Sequence, residues 1–182
     1  MLLFYLSLVD DPEDKSRIEV IYTDFYPYMF AKANSVLSND FDVEDAIQNA
    51  MLRIIELIDE INFDDMEKVK ALCGIIARNK AIDLQRQKDN QHVDMYDIPP
   101  SDVIVDDPGE IVVDDESYDI LIGSINKLDD IFKDVFCLKY YLGYKEREIA
   151  DILGISQKTV GTRLYRGRRD LRKILEEANV HV

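Results

Sequence analysis

The chain has 182 residues, of which 37 are Asp or Glu and 22 are Lys or Arg, so its formal net charge at pH 7 is -15. Apolar residues make up 47% of the chain, which contains only 7 Gly and 5 Pro. These figures exclude a disordered, collagen-like or low-complexity chain, and the length is enough for two small folded domains.

Cysteine and histidine are too few and too scattered to predict a structural metal site or a disulfide framework. Cys73 and Cys137 lie in apolar stretches, while His92 and His181 lie in a linker and near the last residue. The apolar run from Met1 to Val9 has no basic residue before it and no small-residue cleavage site after it. We therefore expect no metal, no cofactor, no signal peptide and no membrane span, and a cytoplasmic location.

Apolar residues at helical spacing predict three main helices in the N-terminal half, over residues 18–37, 43–58 and 66–84. The second helix combines a wide apolar stripe with a polar strip on its other side. The strip consists of Glu44, Asp45, Gln48, Asn49 and Leu52. Such a strip is either simply solvated or a surface for a partner.

The third predicted helix ends in a basic island, because residues 68–88 include six basic side chains and one acidic side chain. Basic residues at a helix C-terminus interact favourably with the helix dipole whether or not a ligand binds there. Asn79 and Asp83 lie one turn apart and can both present hydrogen-bonding groups to bases. A nucleic-acid contact and a purely structural role both remain open for this island.

Residues 89–116 carry ten acidic and no basic side chains, together with Pro99-Pro100 and Pro108-Gly109. They show no helical periodicity, which predicts a linker. Fully extended, the segment reaches about 90 Å at roughly 3.3 Å per residue, and as a coil nearer 30 Å. It is either a solvated tether or an acidic mimic of nucleic acid that occupies a nucleic-acid channel.

The C-terminal part begins with a predicted helix over residues 124–142 that ends at Gly143, where a left-handed cap is expected. A short helix over 146–153, a turn over 154–156 and a long helix over 157–175 follow. Two helices joined by a short turn that contains Gly form a helix-turn-helix. Ser156 is well placed to cap the second of these helices.

The long second helix separates an apolar face from a cationic face. The predicted inward residues are Val160, Leu164, Leu171, Ile174 and Leu175, and the predicted outward residues are Lys158, Thr162, Tyr165, Arg166, Arg169 and Lys173. In a helix-turn-helix, the first residues of the second helix reach base edges and basic residues further along contact phosphates. We assign Gln157, Lys158 and Thr162 to base contact, and Arg163, Arg166 and Arg169 mainly to phosphate. A basic helix that stays solvated or packs on another protein is the alternative.

Three motifs together resemble a bacterial extracytoplasmic-function (ECF) sigma factor, the small two-domain branch of the sigma-70 family. Asp42 to Asn49 with Leu52 to Ile55 is similar to region 2.2 of the family. Residues 76–83 are similar to regions 2.3 and 2.4, and residues 148–172 to region 4.2. The motifs occur in the family's order on either side of a linker of suitable length.

The resemblance implies an all-α fold with a region 2 bundle at residues 1–88, an acidic linker at 89–116 and a region 4 helix-turn-helix domain at 117–182. It implies a transcription initiation factor, not an enzyme, that binds core RNA polymerase and promoter DNA and aids melting of the minus-10 element. Core polymerase would contact Asp45, Gln48, Asn49 and Leu52. The minus-10 element would contact Arg78, Asn79, Lys80, Asp83 and Arg86, and the minus-35 element the six residues assigned above to base and phosphate contact. Many relatives are held inactive by an anti-sigma protein, so such a protein is a further candidate partner.

The chain departs from the family pattern at three positions. Leu72 stands where the family usually has Trp, and the sequence contains no Trp. Gly161 and Gly167 lie within the long second helix of the helix-turn-helix, residues 157–175, which is the recognition helix in the family; each costs about 0.8–1 kcal/mol relative to Ala. We therefore predict a frayed or adaptable recognition helix and modest affinity for the minus-35 element.

Two other functions compete with this interpretation. A stand-alone helix-turn-helix regulator would bind palindromic DNA tightly without polymerase, but it leaves the strip on the second helix and the acidic linker without a role. A sigma-like decoy would bind polymerase or an anti-sigma factor without supporting transcription. Only the two glycines of the recognition helix support the decoy.

Overall fold

The computed structural model describes residues 1–88 and 123–177, and the chain divides into two compact units, Met1–Asp94 and Met95–Val182. All regular secondary structure in the described ranges is helical, which confirms the predicted all-α class. No helix in these ranges is long and apolar enough to cross a membrane. The proposed linker at 89–116 lies outside the described residues, and the exact domain limits stay a prediction.

In its described part, residues 1–88, the N-terminal unit has five α-helices and two short segments of other helix types. They are α1 (Leu2–Leu6), α2 (Pro12–Val20), a π-helical segment (Ile21–Phe25), α3 (Tyr26–Asn34), α4 (Asp40–Glu56), a 3-10 turn (Ile58–Glu60) and α5 (Met66–Lys88). Because α2, the π-helical segment and α3 follow one another without a break, they form one long helical stretch.

That long stretch begins earlier than predicted, at Pro12 instead of residue 18. The carboxylate of Asp11 accepts hydrogen bonds from the backbone N–H groups of Glu13, at 2.8 Å, and Asp14, at 3.2 Å. An Asp cap followed by Pro is a strong start signal that carries no apolar periodicity, so the pattern of apolar residues missed it. The spacing of apolar residues also failed to predict α1.

The core of the N-terminal unit forms where α3 and α4 pack against α5. The predicted apolar stripe of α4 is buried, with only Ile55 left half-buried. Its fully buried members include Ile47, Met51 and Ile54, and α5 contributes Leu72 and Ile76. The buried stripe fixes which side of α4 faces outward.

Gly74 allows a tyrosine ring to lie directly on the backbone of α5. A Cβ atom at this position would lie 2.4 Å from Cε1 of Tyr28. The ammonium groups of Lys32 and Lys70 lie over the same ring, 5.4 and 5.6 Å from its centroid. Glycine is therefore required in this helix for close packing, in spite of its low helix propensity.

Cys73 lies beside this contact and is buried in the same helix. Burial raises the pKa of its thiol to about 12, because the charged thiolate is poorly solvated in the apolar core. Cys137, in the other unit, forms no disulfide and is half-buried. Both side chains are therefore thiols in this structure.

A row of neighbouring aromatic rings joins α1 to the long helical stretch and to α4. The row runs through Phe4, Tyr5, Tyr22, Tyr26 and Phe30, with centroid separations of 5.6, 6.0, 5.8 and 6.4 Å. Tyr5, the second ring of the row, is buried, and near the other end the hydroxyl of Tyr26 donates to Oε1 of Glu44 at 2.5 Å. Burial and this hydrogen bond both raise the pKa of Tyr26.

The C-terminal unit consists, in its described part, of α6 (Asp130–Phe136), a π-helical segment (Cys137–Tyr141), α7 (Glu146–Leu153) and α8 (Gln157–Glu177). The prediction of one helix over 124–142 is wrong. Helical residues 123–125 end in a turn at Asn126 and Lys127, and the helix starts again after Asp129. Apolar spacing continues across this break because Leu128 and Phe132 are both buried.

The predicted helix-turn-helix is confirmed. Gly143 and Gly154 have φ values of 81° and 64°, so both adopt the left-handed conformation that glycine accepts without strain. The short first helix has the predicted bounds, Glu146–Leu153. Ser156 caps the second helix, because its Oγ accepts a hydrogen bond from the backbone N–H of Thr159 at 3.0 Å.

The two glycines of α8 have different surroundings. A Cβ atom at Gly167 would lie 2.6 Å from Cε2 of Phe136 and 3.2 Å from Cβ of Phe132, both on α6. At Gly161 it would lie in ordinary contact, 3.9 Å from a carboxylate oxygen of Glu146. Gly167 therefore permits close packing of α6 on α8, whereas nothing in the structure requires glycine at position 161.

These surroundings predict opposite effects on stability for the two glycines. Gly161→Ala is expected to raise the free energy of unfolding of the C-terminal unit by about 0.8–1 kcal/mol, because Ala is the better helix former. Gly167→Ala is expected to lower it, because overpacking typically costs about 1–3 kcal/mol and outweighs the gain in propensity. Urea unfolding followed by circular dichroism measures both variants. Equal effects of the two substitutions would contradict the packing role of Gly167.

The Tyr26–Glu44 hydrogen bond predicts a loss of stability in alkaline solution. Because the pKa of Tyr26 is raised in the folded protein, its contribution is fully present below the ordinary tyrosine pKa of 10.0 and is lost as the pH rises above that value. We expect the wild-type chain to lose more of its unfolding free energy between pH 8 and pH 11 than Tyr26→Phe does. Urea titrations at the two pH values test this, and parallel losses would argue against it.

Candidate functional site

The outer face of α4 carries the four residues predicted to bind a partner. Asp45, Asn49 and Leu52 are exposed, and Gln48 is half-buried. The side-chain amide of Asn49 donates to the backbone carbonyl of Asp45 at 2.9 Å. Because the opposite side of α4 is buried against α3 and α5, this strip is held rigidly at the surface.

The second half of α5 carries five predicted DNA contacts, and they differ in exposure. Arg78 and Asn79 are only 6% and 8% exposed, and both take part in interactions within the protein. Lys80, Asp83 and Arg86 are half-buried, and Nζ of Lys80 lies 4.0 Å from the carboxylate of Asp83. The helix therefore combines two buried polar residues with a charged surface that begins at the next residue, Lys80, and extends to Arg86.

The predicted faces of α8 match the observed burial at most positions. Val160, Leu164, Leu171 and Leu175 are buried, and Ile174 is half-buried. On the other side, Gln157, Lys158, Arg169 and Lys173 are exposed, and Thr162, Tyr165 and Arg166 are half-buried. The first turn of α8 thus presents polar side chains to solvent next to a rigid cap.

Local hydrogen bonds restrain two of these outward side chains. The hydroxyl of Thr162 donates to the backbone carbonyl of Lys158 at 2.9 Å, and the guanidinium of Arg169 donates to Asp170 at 2.9 Å. The Arg169–Asp170 pair is exposed, so it contributes little to stability and a phosphate can compete for the guanidinium.

Arg163 differs from the other predicted phosphate contacts because it is buried, with 6% of its surface exposed. Its position on α8 adjoins the buried face formed by Val160, Leu164 and Gly167. A count of basic residues could not separate it from Arg166 and Arg169, since all three lie in the same cationic segment.

The structure also shows a contact that the sequence did not predict. The guanidinium of Arg168 donates two hydrogen bonds to the hydroxyl of Tyr140, at 2.8 and 3.1 Å, which joins α8 to the π-helical segment. Tyr140 is exposed, and its ring lies 5.4 Å from that of Phe136. The two partners are 28 residues apart, so spacing along the chain gave no signal for this pair.

Within residues 1–88 and 123–177, no group of three or more His, Cys, Asp or Glu side chains is arranged to hold a metal ion.

Two family models match the chain, one in each unit. The model for sigma-70 region 2 matches residues 21–91, and the model for sigma-70 region 4 matches residues 118–171. The first match includes α4 and α5, and the second includes α7 and most of α8.

Several curated proteins are similar over most of the chain. ECF RNA polymerase sigma factor SigW of Bacillus subtilis (strain 168) is 33% identical over 153 residues, which cover 78% of this chain and 80% of the relative. RNA polymerase sigma factor NccH of Alcaligenes xylosoxydans xylosoxydans is 28% identical over 144 residues, covering 76% of each.

Among solved structures, the sigma factor RpoE in complex with the anti-sigma factor NepR from Bartonella quintana covers 87% of this chain and 94% of that chain. The identity is 22% and the TM-score is 0.38. The family assignment comes from the two family models and the curated relatives.

The difference in burial between Arg163 and Lys158 predicts different effects on stability. Arg163→Ala is expected to lower the free energy of unfolding of the C-terminal unit by about 1–3 kcal/mol, because it removes a buried polar side chain that interacts within the protein. Lys158→Ala is expected to change it by less than about 0.5 kcal/mol, as surface substitutions usually do. Urea unfolding of the two variants is the measurement. Full stability of Arg163→Ala would show that this guanidinium has no structural role.

Proposed function

Because this chain belongs to the ECF branch of the sigma-70 family of RNA polymerase sigma factors, we propose that it binds core RNA polymerase, directs it to a limited set of promoters and aids melting of the minus-10 element. The observation that carries the proposal is the pair of family matches, in the order region 2 and then region 4, one in each folded unit. The similarity to SigW over 78% of the chain supports the ECF branch.

We assign residues 1–88 to polymerase and minus-10 binding, 89–116 to the linker and 117–182 to minus-35 binding. The two promoter elements are about two DNA turns apart, roughly 70 Å. An extended linker of 28 residues reaches about 90 Å, which is enough to join the two contacts. In this role the protein works in the bacterial cytoplasm, where chromosome and polymerase are located, and it has no catalytic site of its own.

Core polymerase binding is assigned to Asp45, Gln48, Asn49 and Leu52 on α4. The assignment is supported by their position: they share the outward side of a helix whose other side is buried. A partner can therefore dock on them without disturbing the core. The rigid helix also lowers the entropic cost of binding, because the docking residues are already in place.

Minus-10 recognition is assigned to the second half of α5. Lys80 and Arg86 would attract the phosphates of the opened strand, and Asp83 would accept a hydrogen bond from a base edge. Arg78 and Asn79 are more deeply placed, which suits the floor of a pocket for an unstacked base. Extruding a base costs a few kcal/mol of stacking, so such a pocket and cationic surroundings are both needed.

Minus-35 recognition is assigned to α8 in the major groove, with Gln157, Lys158 and Thr162 toward base edges. Arg166 and Arg169 would contact phosphates on either side. Arg163, assigned to phosphate from sequence, is buried enough that we expect it to act mainly by holding α8 in place. The net charge of -15 opposes DNA binding by the free protein, so polymerase is needed to bring these contacts to the promoter.

An assembly and transcription assay tests the proposal. The full-length protein is mixed with core RNA polymerase of its own bacterium, the complex is isolated by gel filtration, and the same sample transcribes a library of promoter-like templates. We expect a stable complex that initiates at a defined subset of templates. Duplex binding by the protein alone, without a polymerase complex, would instead establish a stand-alone regulator. A complex that yields no transcripts from any template would indicate a decoy.

A charge reversal on α4 tests the polymerase-binding strip. Asp45→Arg is expected to weaken the affinity for core polymerase at least tenfold, about 1.4 kcal/mol, because it places a long cation at the centre of the docking surface. Glu19→Arg is the matched control, since it makes the same charge change at an exposed position of α2 outside the strip. Equal losses in both variants would show that only net charge matters.

A further inference from the structure

Phe41 is the second residue of α4, and 81% of its surface is exposed. The turn that carries it is held firmly. The side chain of Asn39 accepts a hydrogen bond from the backbone N–H of Phe41 at 3.0 Å, and Asp42 forms an ion pair with Lys88 at the end of α5. A large apolar ring is therefore displayed on a fixed piece of backbone.

Phe41 extends the polymerase-binding strip by one helical turn. Phe41, Asp45, Gln48 and Leu52 follow one another at spacings of four, three and four residues. At 100° per residue they fall within an arc of about 60°, directly opposite the buried Ala50. The resulting row is about 17 Å long, with apolar residues at both ends and polar residues in the middle.

Side chains at spacings of four, three and four residues share one side of a helix, as do the contact positions of a helix that packs along another helix. We propose that Phe41 is an apolar anchor of the polymerase-docking surface. In this arrangement a helix of core polymerase lies along the row, with apolar side chains against Phe41 and Leu52 and hydrogen-bonding or basic side chains opposite Asp45 and Gln48. The inference deepens the proposed function and rests on it.

Charge and continuity favour polymerase over a second copy of this chain as the occupant. Three acidic residues, Asp40, Glu44 and Asp45, surround the anchor, and the described N-terminal residues 1–88 contain 17 acidic and 10 basic side chains. Two such units repel each other, whereas a partner helix with basic residues is attracted. Phe41 is also continuous with the assigned strip, one turn before Asp45.

Removing the ring tests the inference. Affinities of the full-length protein for immobilised core polymerase are compared for wild type, Phe41→Ala, Phe41→Leu and Leu3→Ala. Leu3 is the matched control, because it is 83% exposed and belongs to α1 and not to the row on α4. We expect at least a tenfold loss of affinity for Phe41→Ala, a loss of less than threefold for Phe41→Leu and no loss for Leu3→Ala. Thermal unfolding midpoints should remain unchanged, since the ring has few contacts to lose.

Each other result has a distinct meaning. If wild type binds polymerase and Phe41→Ala binds equally well, the anchor is refuted and the proposed function stands. If wild type does not bind polymerase, the proposed function fails and the anchor fails with it. Equal losses of affinity for Phe41→Ala and Leu3→Ala would show that the row on α4 has no specific role in binding polymerase. A wild-type dimer in analytical ultracentrifugation that Phe41→Ala dissociates would assign the surface to a second copy instead.

Discussion

The close contact of α6 with α8 is the constraint on which the C-terminal unit depends. Phe132 and Phe136 reach the backbone of α8 only because position 167 has no side chain. That contact helps to bury one side of a helix that carries seven basic residues between positions 154 and 173, and six of them, all but the buried Arg163, lie on the remaining circumference. A glycine that lowers helix propensity thus supports the surface expected to meet DNA.

Acidic and basic side chains occupy different parts of the chain. The acidic side chains dominate α4 and the segment 89–116, whereas the basic islands lie at the end of α5 and on α8. An acidic protein with two confined cationic surfaces binds nucleic acid weakly at long range, because its total field is repulsive. Promoter binding then depends on delivery by core RNA polymerase.

The sequence predicted those features that depend on local periodicity and on turn residues. The buried stripe of α4, the bounds of α7 and the Ser156 cap all follow from spacing within a few residues. The features it missed depend on contacts between distant residues. The packing at Gly167, the burial of Arg78, Asn79 and Arg163, and the Tyr140–Arg168 pair require knowledge of which helices meet. The break before Asp130 was missed because apolar spacing continued across it. The polymerase and minus-10 assignments came from the family resemblance.

The burial of Cys73 protects its thiol from oxidation. Because burial raises the pKa of Cys73 well above that of an ordinary thiol, very little of it is ionised at neutral pH, and oxidants attack the ionised form. The packing of α5 also shields the sulfur from dissolved reagents. Peroxide or disulfide stress therefore leaves this thiol untouched while the N-terminal unit stays folded. Any response of the protein to oxidants must begin at another group or in another molecule.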